Sequence, residues 1–331
     1  MVLRTPRDIS RDPLEYTDWP APEPGPDEIL IKVAFCGVCH SDLHTVEGEL
    51  PAAKPPLIPG HQIVGRVARG GRSAVRFKEG DRVGAAWLYS ACGQCDFCLS
   101  GRENLCRRAR FTGYQVNGGY AEYFVIPDKF AYPLPERFGD EEAAPLLCGG
   151  IIGYRALKLS EIKPGQRLGL FGFGASAHVA IQVARHWGCE VYVFTRSLEH
   201  RRLAENLGAA WTGASEDDPP QKLHGAIIFA PAGSMVRDAL PKLERGGTLV
   251  LAGITMSPIP ELDYDRYLYH ERTVRSVANA TREDGQDLLA IAAEIRIRTT
   301  VQVFDLKDAN KALGLLKQGR INGAAVLRVS S

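Results

Sequence analysis

Four cysteines fall within fifteen positions, Cys92, Cys95, Cys98 and Cys106, separated by two, two and seven residues. Thiolates at this spacing can close a tetrahedral zinc cage in a loop with little core of its own, and a cage without an open position is structural. An iron–sulfur cluster is the competing reading, although the ferredoxin runs use other spacings. A second group is scattered: Cys39 and His40 follow an apolar run, His61 stands in Pro-Gly-His-Gln, and Cys148 in Leu-Leu-Cys-Gly-Gly. Two thiolates and one imidazole leave a fourth position for water or substrate, the arrangement expected of catalytic zinc. Singly they would read as a core thiol and a satisfied histidine, so only their combination carries the argument.

A third feature handles phosphate. The strand-like RLGLF runs into Gly172-Phe173-Gly174-Ala175-Ser176-Ala177 and then a helical pattern, the G-x-G-x-x-A form of the dinucleotide fingerprint. Its glycines allow a sharp turn and close approach to a pyrophosphate, whose charge meets free N–H groups at the helix start. NAD-binding units usually place a carboxylate at the end of the next strand; this chain has Thr195-Arg196-Ser197 there. Arg196 suits a 2′-phosphate, with hydroxyl donors from Thr195 and Ser197, so NADP(H) is favoured and NAD(H) remains possible.

These residues need a scaffold. ILIKVAFCGVC from Ile29 alternates like a strand, and QIVGRVARG and DRVGAAWL repeat the pattern, so the first part reads as β-rich. DEEAAPLLCGGIIGYRALKLS reads as a helix beginning near Asp140. From Gln166 strands and helices alternate, implying a parallel sheet covered on both faces. Near the end, DANKALGLLKQGRI reads as a helix and AAVLRV as a strand that rejoins the first domain. The expected division is residues 1–150 with 290–331 returning to them, and 151–289 as the cofactor domain.

Composition narrows the function. The 331 residues exceed one ordinary core and suggest two domains of about 100 to 200 residues. A net charge of +1 offers no field for nucleic acid or an acidic membrane surface, which leaves small uncharged partners. Apolar stretches fall short of the roughly 18 residues that span a bilayer, and the start MVLRTPRDISRD lacks a signal core, so a cytoplasmic protein is expected. The eight cysteines then fit metal ligation better than disulfides.

At this point the chain resembles the zinc-dependent medium-chain dehydrogenase/reductase family, particularly its yeast-type alcohol dehydrogenases. The matching stretches are GVCHSDLH, PGHQIVG, WLYSACGQCDFCLSGRENLC, GGYAEYFVIP, PLLCGGIIGYRALK and GFGASA, in the family's order from about Ile29 to the end. The resemblance implies a GroES-like catalytic domain, a Rossmann-type cofactor domain and an active site in the cleft between them. Carried over, Cys39, His61 and Cys148 would ligate catalytic zinc, and Cys92, Cys95, Cys98 and Cys106 structural zinc, two Zn²⁺ per chain. Ser41 would bond the substrate oxygen, and Asp42 would orient His61, as metal-bound imidazoles generally require. His40 would contact the pyrophosphate, and His44 would end a proton relay that runs from Ser41 through the nicotinamide ribose. The family usually carries Glu where Gln62 stands and a basic residue where Ala324 stands; losing both charges avoids one buried unpaired charge. A homodimer or homotetramer is expected.

The implied reaction is reversible hydride transfer between a primary alcohol or aldehyde and a nicotinamide cofactor. Trp87 and Tyr114 are candidate walls of an apolar substrate pocket. The alternatives are an NADPH-dependent reductase of larger or aromatic aldehydes and, in another class, a non-enzymatic zinc- and nucleotide-binding protein.

Overall fold

A computed structural model describes residues 1–50 and 55–330. In chain order the elements that matter here are β1 (Glu28–Val38), α1 (His40–Glu47), β2 (Gln62–Gly70), β3 (Arg82–Ala85), β4 (Tyr123–Pro127) and β5 (Ala131–Pro133). Next come α2 (Gly149–Ser160), β6 (Arg167–Phe171), α3 (Ala175–His186), β7 (Glu190–Phe194), α4 (Leu198–Asn206), β8 (Trp211–Gly213), β9 (Leu223–Ile228), β10 (Leu243–Leu251) and β11 (Thr273–Ser276). The chain closes with α5 (Arg282–Ile295), β12 (Val301–Asp305), α6 (Ala309–Lys317) and β13 (Ala324–Arg328).

Two compact units result, Met1–Cys148 with Thr281–Ala293 and Arg298–Ser331, and Gly149–Ala280 with Glu294–Ile297. The return to the first unit begins at Thr281, ahead of the expected residue 290. Residues 51–54 and 331 of the expected first domain lie outside the described residues.

The first unit is built on a sheet ordered β12-β13-β1-β2-β3-β5, with β4 also paired to β1. All pairings are antiparallel except that of β12 with β13. β1 does not keep the expected alternation: Ile29, Leu30 and Ile31 are all buried, because this central strand is covered on both faces. Its C-terminal end delivers Cys39, and the start of β2 follows His61.

The second unit is a six-stranded sheet ordered β8-β7-β6-β9-β10-β11, parallel throughout. That order reverses beside β6, the switch point where a doubly wound sheet binds dinucleotides. α2 packs closely on α3, since a Cβ on Gly149 would stand 3.2 Å from the Ala175 carbonyl and one on Gly153 2.9 Å from that of Ser176. Among the described residues no helix is long and apolar enough to cross a membrane.

The segment from Asp140 departs from the single helix expected. A short helix, Asp140–Ala143, gives way to a 3-10 turn, Ala144–Leu147, and Cys148 (φ −135°, ψ −76°) separates it from α2. Pro145 is the cause: it has no N–H to continue an α-helical ladder. Pro241 likewise shortens the expected helix MVRDALPKL to Met235–Ala239 and a following 3-10 turn.

Candidate metal centres and nucleotide loop

Cys39 is the N-cap of α1, in extended conformation after β1. Its N–H donates to Asp42 Oδ2 at 2.9 Å, so Asp42 both caps the helix and is fixed by it. Asp42 and His61 are both fully buried. The other carboxylate oxygen, Oδ1, accepts from His61 Nδ1 at 2.8 Å and from the Gly60 N–H at 3.2 Å. With Nδ1 so engaged, His61 Nε2 has no hydrogen-bond partner among the described residues. It lies with the Cys39 and Cys148 sulfurs in a cluster whose ligand atoms are all within 4.8 Å of one another, the two sulfurs 3.7 Å apart. An orphaned buried imidazole nitrogen facing two thiols is the donor set of zinc, with one coordination position left over.

The electrostatics agree. Cys39 is held well below its ordinary pKa, first by the Cys148 thiol beside it and then, against burial, by His61. Cys148 is pushed well above its own, first by Cys39 and then by burial. Burial would lower His61, but the Asp42 carboxylate and Cys39 override it and raise the imidazole to about 10. Burial raises Asp42. These donors take a divalent cation by releasing protons, as metal sites generally do.

Cys92, Cys95, Cys98 and Cys106 also gather within 4.8 Å. The sulfur of Cys98 lies 3.6 Å from Cys95 and 3.9 Å from Cys92, and the Cys92 N–H points at Cys106 Sγ, 3.4 Å away. Left-handed turns at Gly93 and Gly101 let the loop wrap around this centre. Cys92 is lowered to about 5, first by the Gln94 N–H and then by Arg108. Four thiols leave no open position, and the cage closes within one loop.

In the second unit Gly172 adopts φ 84° and Gly174 caps α3. A Cβ on Gly174 would meet nothing within 4 Å, so the side that a pyrophosphate would approach is open. Ala175 and Ser176 are half-buried at the first turn. At the end of β7 Thr195 is buried, Arg196 and Ser197 are exposed, and the Ser197 oxygen caps α4 by accepting from the His200 N–H at 3.3 Å. One residue here escaped the sequence reading. Arg201, half-buried one turn into α4, donates Nε to the Thr195 carbonyl at 2.8 Å, which sets a second guanidinium beside the strand end. Its helical spacing from Ser197 was the available signal.

Around the open cluster, Ser41 is buried with Oγ 3.8 Å from Cys39 Sγ, whereas His40 is exposed at the start of α1. The His44 ring lies 6.4 Å from that of His40, and its Nδ1 is engaged by Glu49, a second residue the sequence reading missed. Glu49 also donates its N–H to the His44 carbonyl at 2.9 Å, folding back over the end of α1. Trp87 meets His61 edge-on at 4.8 Å and is stacked on Phe111 at 5.5 Å and Tyr114 at 5.7 Å. Gln62 and Val326 flank Gly37 in register, so Ala324, two residues along β13, shares their face of the sheet; Gln62 and Ala324 are both buried and neutral. Cys36 and Cys189 are buried outside both clusters, as expected of packing thiols.

Residues 25–136 match the family model described as alcohol dehydrogenase GroES-like domain, and residues 177–294 the model described as zinc-binding dehydrogenase. The chain is 47% identical to a probable alcohol dehydrogenase, AdhA, of Mycobacterium tuberculosis, over 99% of this chain and 96% of that protein. Among solved structures it superposes with TM-score 0.88 on a cinnamyl alcohol dehydrogenase of Sorghum bicolor, at 29% identity over 98% of this chain and 96% of that one. A Helicobacter pylori enzyme, described as CAD complexed with NADP(H), matches with TM-score 0.83 at 26% identity over 92% and 91%.

Proposed function

The chain belongs to the zinc-dependent medium-chain dehydrogenase/reductase family, and on that premise we propose that it interconverts primary alcohols and aldehydes as an alcohol dehydrogenase with a nicotinamide cofactor. The observation that carries the reading is the three-ligand cluster of Cys39, His61 and Cys148 beside Ser41, in a chain whose second cluster is closed by four thiols. The first set would hold a catalytic zinc and the second a structural one, two ions per chain. Bound zinc supplies Lewis-acid polarisation of the substrate oxygen, and bound nicotinamide takes or gives the hydride.

This chain's own residues do the rest. Asp42 holds His61 with Nε2 turned to the ligand cluster. Ser41 would take the substrate hydroxyl proton as it releases its own, and His44, steadied at Nδ1 by Glu49, would carry a proton outward. Gly172, Gly174, Ala175 and Ser176 would hold the cofactor phosphates at the N-terminus of α3. Arg196 and Arg201, with Thr195 and Ser197, favour NADP(H) over NAD(H), since no carboxylate stands at the end of β7 to accept from a ribose 2′-hydroxyl.

A second reading rests on the Trp87, Phe111 and Tyr114 stack beside His61, whose flat faces suit larger or aromatic aldehydes. The open outer edge of β11, with the exposed Tyr264 and Tyr269 in the same unit, supports self-association as a homodimer or homotetramer. The test is turnover of zinc-loaded protein on aliphatic and aromatic alcohols and aldehydes with each cofactor, alongside zinc per chain. Two ions and turnover are expected; one ion and no turnover would leave a zinc- and nucleotide-binding protein.

A further inference from the structure

Gly118, Gly119 and Tyr120, in the stretch GGYAEYFVIP, have no part in the chemistry above. They run along the loop that delivers His61. The Gly118 N–H donates to the Ile58 carbonyl at 2.7 Å, Gly119 to Gly60 at 2.9 Å and Tyr120 to Pro59 at 3.0 Å. The contact leaves no space for further side chains: a Cβ on Gly118 would lie 2.0 Å from the Gly60 oxygen, and one on Gly119 2.4 Å from Ile63. Gly60 itself is at φ 97°, and a Cβ there would lie 2.3 Å from the Tyr120 ring. Tyr120 is fully buried, and its hydroxyl donates to Asp42 Oδ2 at 3.4 Å.

Each oxygen of Asp42 therefore has two donors, His61 and Gly60 on Oδ1, Cys39 and Tyr120 on Oδ2. Three of the four come from the metal-ligand segments themselves. Tyr120 is the exception, in a segment, residues 118–120, anchored by three backbone bonds to the loop before His61. We propose that Tyr120 is a positioning residue for the open metal centre: its hydroxyl pins Asp42 Oδ2 so that Oδ1 stays aimed at His61 Nδ1 and Nε2 faces the metal. A buried carboxylate short of one donor is costly and free to twist, and outer partners of this kind typically contribute tenfold to hundredfold in metal affinity.

The inference rests on Cys39, His61 and Cys148 holding zinc, and the test separates the two. Holoprotein, wild type and Tyr120→Phe, is challenged with a chelator while zinc release is followed, the four-cysteine ion serving as the internal reference. Phe keeps the ring and its packing, so a structural role alone predicts no selective change. The expected result is release of the open-site zinc about tenfold faster, at the low end because the bond is long, with the four-cysteine ion unchanged. 3-Fluorotyrosine at position 120, which keeps the donor, should hold the wild-type rate. Unchanged release in Tyr120→Phe, or equal acceleration of both ions, overturns the proposal. If His61→Ala removes no zinc from otherwise wild-type protein, the metal-centre reading itself fails and the proposal with it.

Discussion

Cys148 and Cys95 are the same residue type in different surroundings, and their substitutions should differ accordingly. Cys148 belongs to a three-ligand cluster anchored on buried elements, so Cys148→Ala should lose one zinc per chain and at least about a hundredfold in turnover, more than outer partners cost, with the thermal midpoint retained. Cys95 helps to close a cage in a loop whose own residues are largely exposed or half-buried, so Cys95→Ala should lower the thermal midpoint. Equal loss of folding in both would remove the distinction. At the other end of the chemistry, Arg196→Asp should shift the kcat/KM ratio of NADP(H) to NAD(H) by about tenfold or more, the worth of a charge-assisted bond to phosphate. An unchanged ratio would refute the assignment of Arg196. Arg201 should show a smaller shift, because its Nε is committed to the Thr195 carbonyl.

At the scale of elements, the ends of helices decide how firmly the sites are held. Arg282, first residue of α5, donates its backbone N–H and Nε to Glu103 Oε1 at 2.9 and 2.8 Å and Nη2 to Oε2 at 2.5 Å, with its guanidinium 4.5 Å over Phe130. Glu103 opens the short helix before Cys106, so this pair ties the four-cysteine loop to the point where the chain rejoins the first unit. Burial would raise the Glu103 carboxyl, but the bonds from Arg282 outweigh it and hold the group below its ordinary value. Such a group stabilises the fold above the ordinary carboxylate range, and the contribution disappears as pH falls through the lowered value. Glu103→Gln should therefore cost about 2 kcal/mol near neutrality, the scale of hydrogen bonds to a charged group, because Arg282 is partly exposed and solvent screens the pair. Denaturant titration at neutral and acid pH should show the difference from wild type shrinking toward acid. Lys317, which bonds Asp8 and Glu47 at 2.7 Å each at the far end of α1, offers a single ammonium where Arg282 offers a fork, and its partner Asp8 is exposed, so it should matter less.

For the whole molecule, the two clusters make metal removal a two-step experiment. Both lie in the first unit, one with three ligands and one with four. Mild chelation should remove one ion per chain and abolish turnover with little change in circular dichroism, and exhaustive chelation should take the second and lower the thermal midpoint. Loss of both together with folding would mean that the sites are not separable. The parallel sheet of the second unit was legible because its strands and helices alternate, whereas the break at Cys148 was hidden inside a run of helical composition. Pro145 and the Gly149-Gly150 pair were the local signs of it.

What the sequence determined by itself were the features that close over short distances. Four thiols within one loop, glycines at a strand-to-helix turn and Arg196 at the next strand end are local, so spacing alone was enough to single them out as candidates for metal and nucleotide binding. Only the tertiary structure brought Cys39 and Cys148, 109 positions apart, to 3.7 Å, and only it left His61 Nε2 buried without a hydrogen-bond partner among the described residues. The Asp42–His61 pair was expected from the resemblance, but the Tyr120 donor on Asp42, the engagement of His44 by Glu49 and the Glu103–Arg282 pair were beyond the sequence reading. Hydrogen bonds are directional and act over about 3 Å, so their partners are set by how elements pack, which residue type and spacing do not encode.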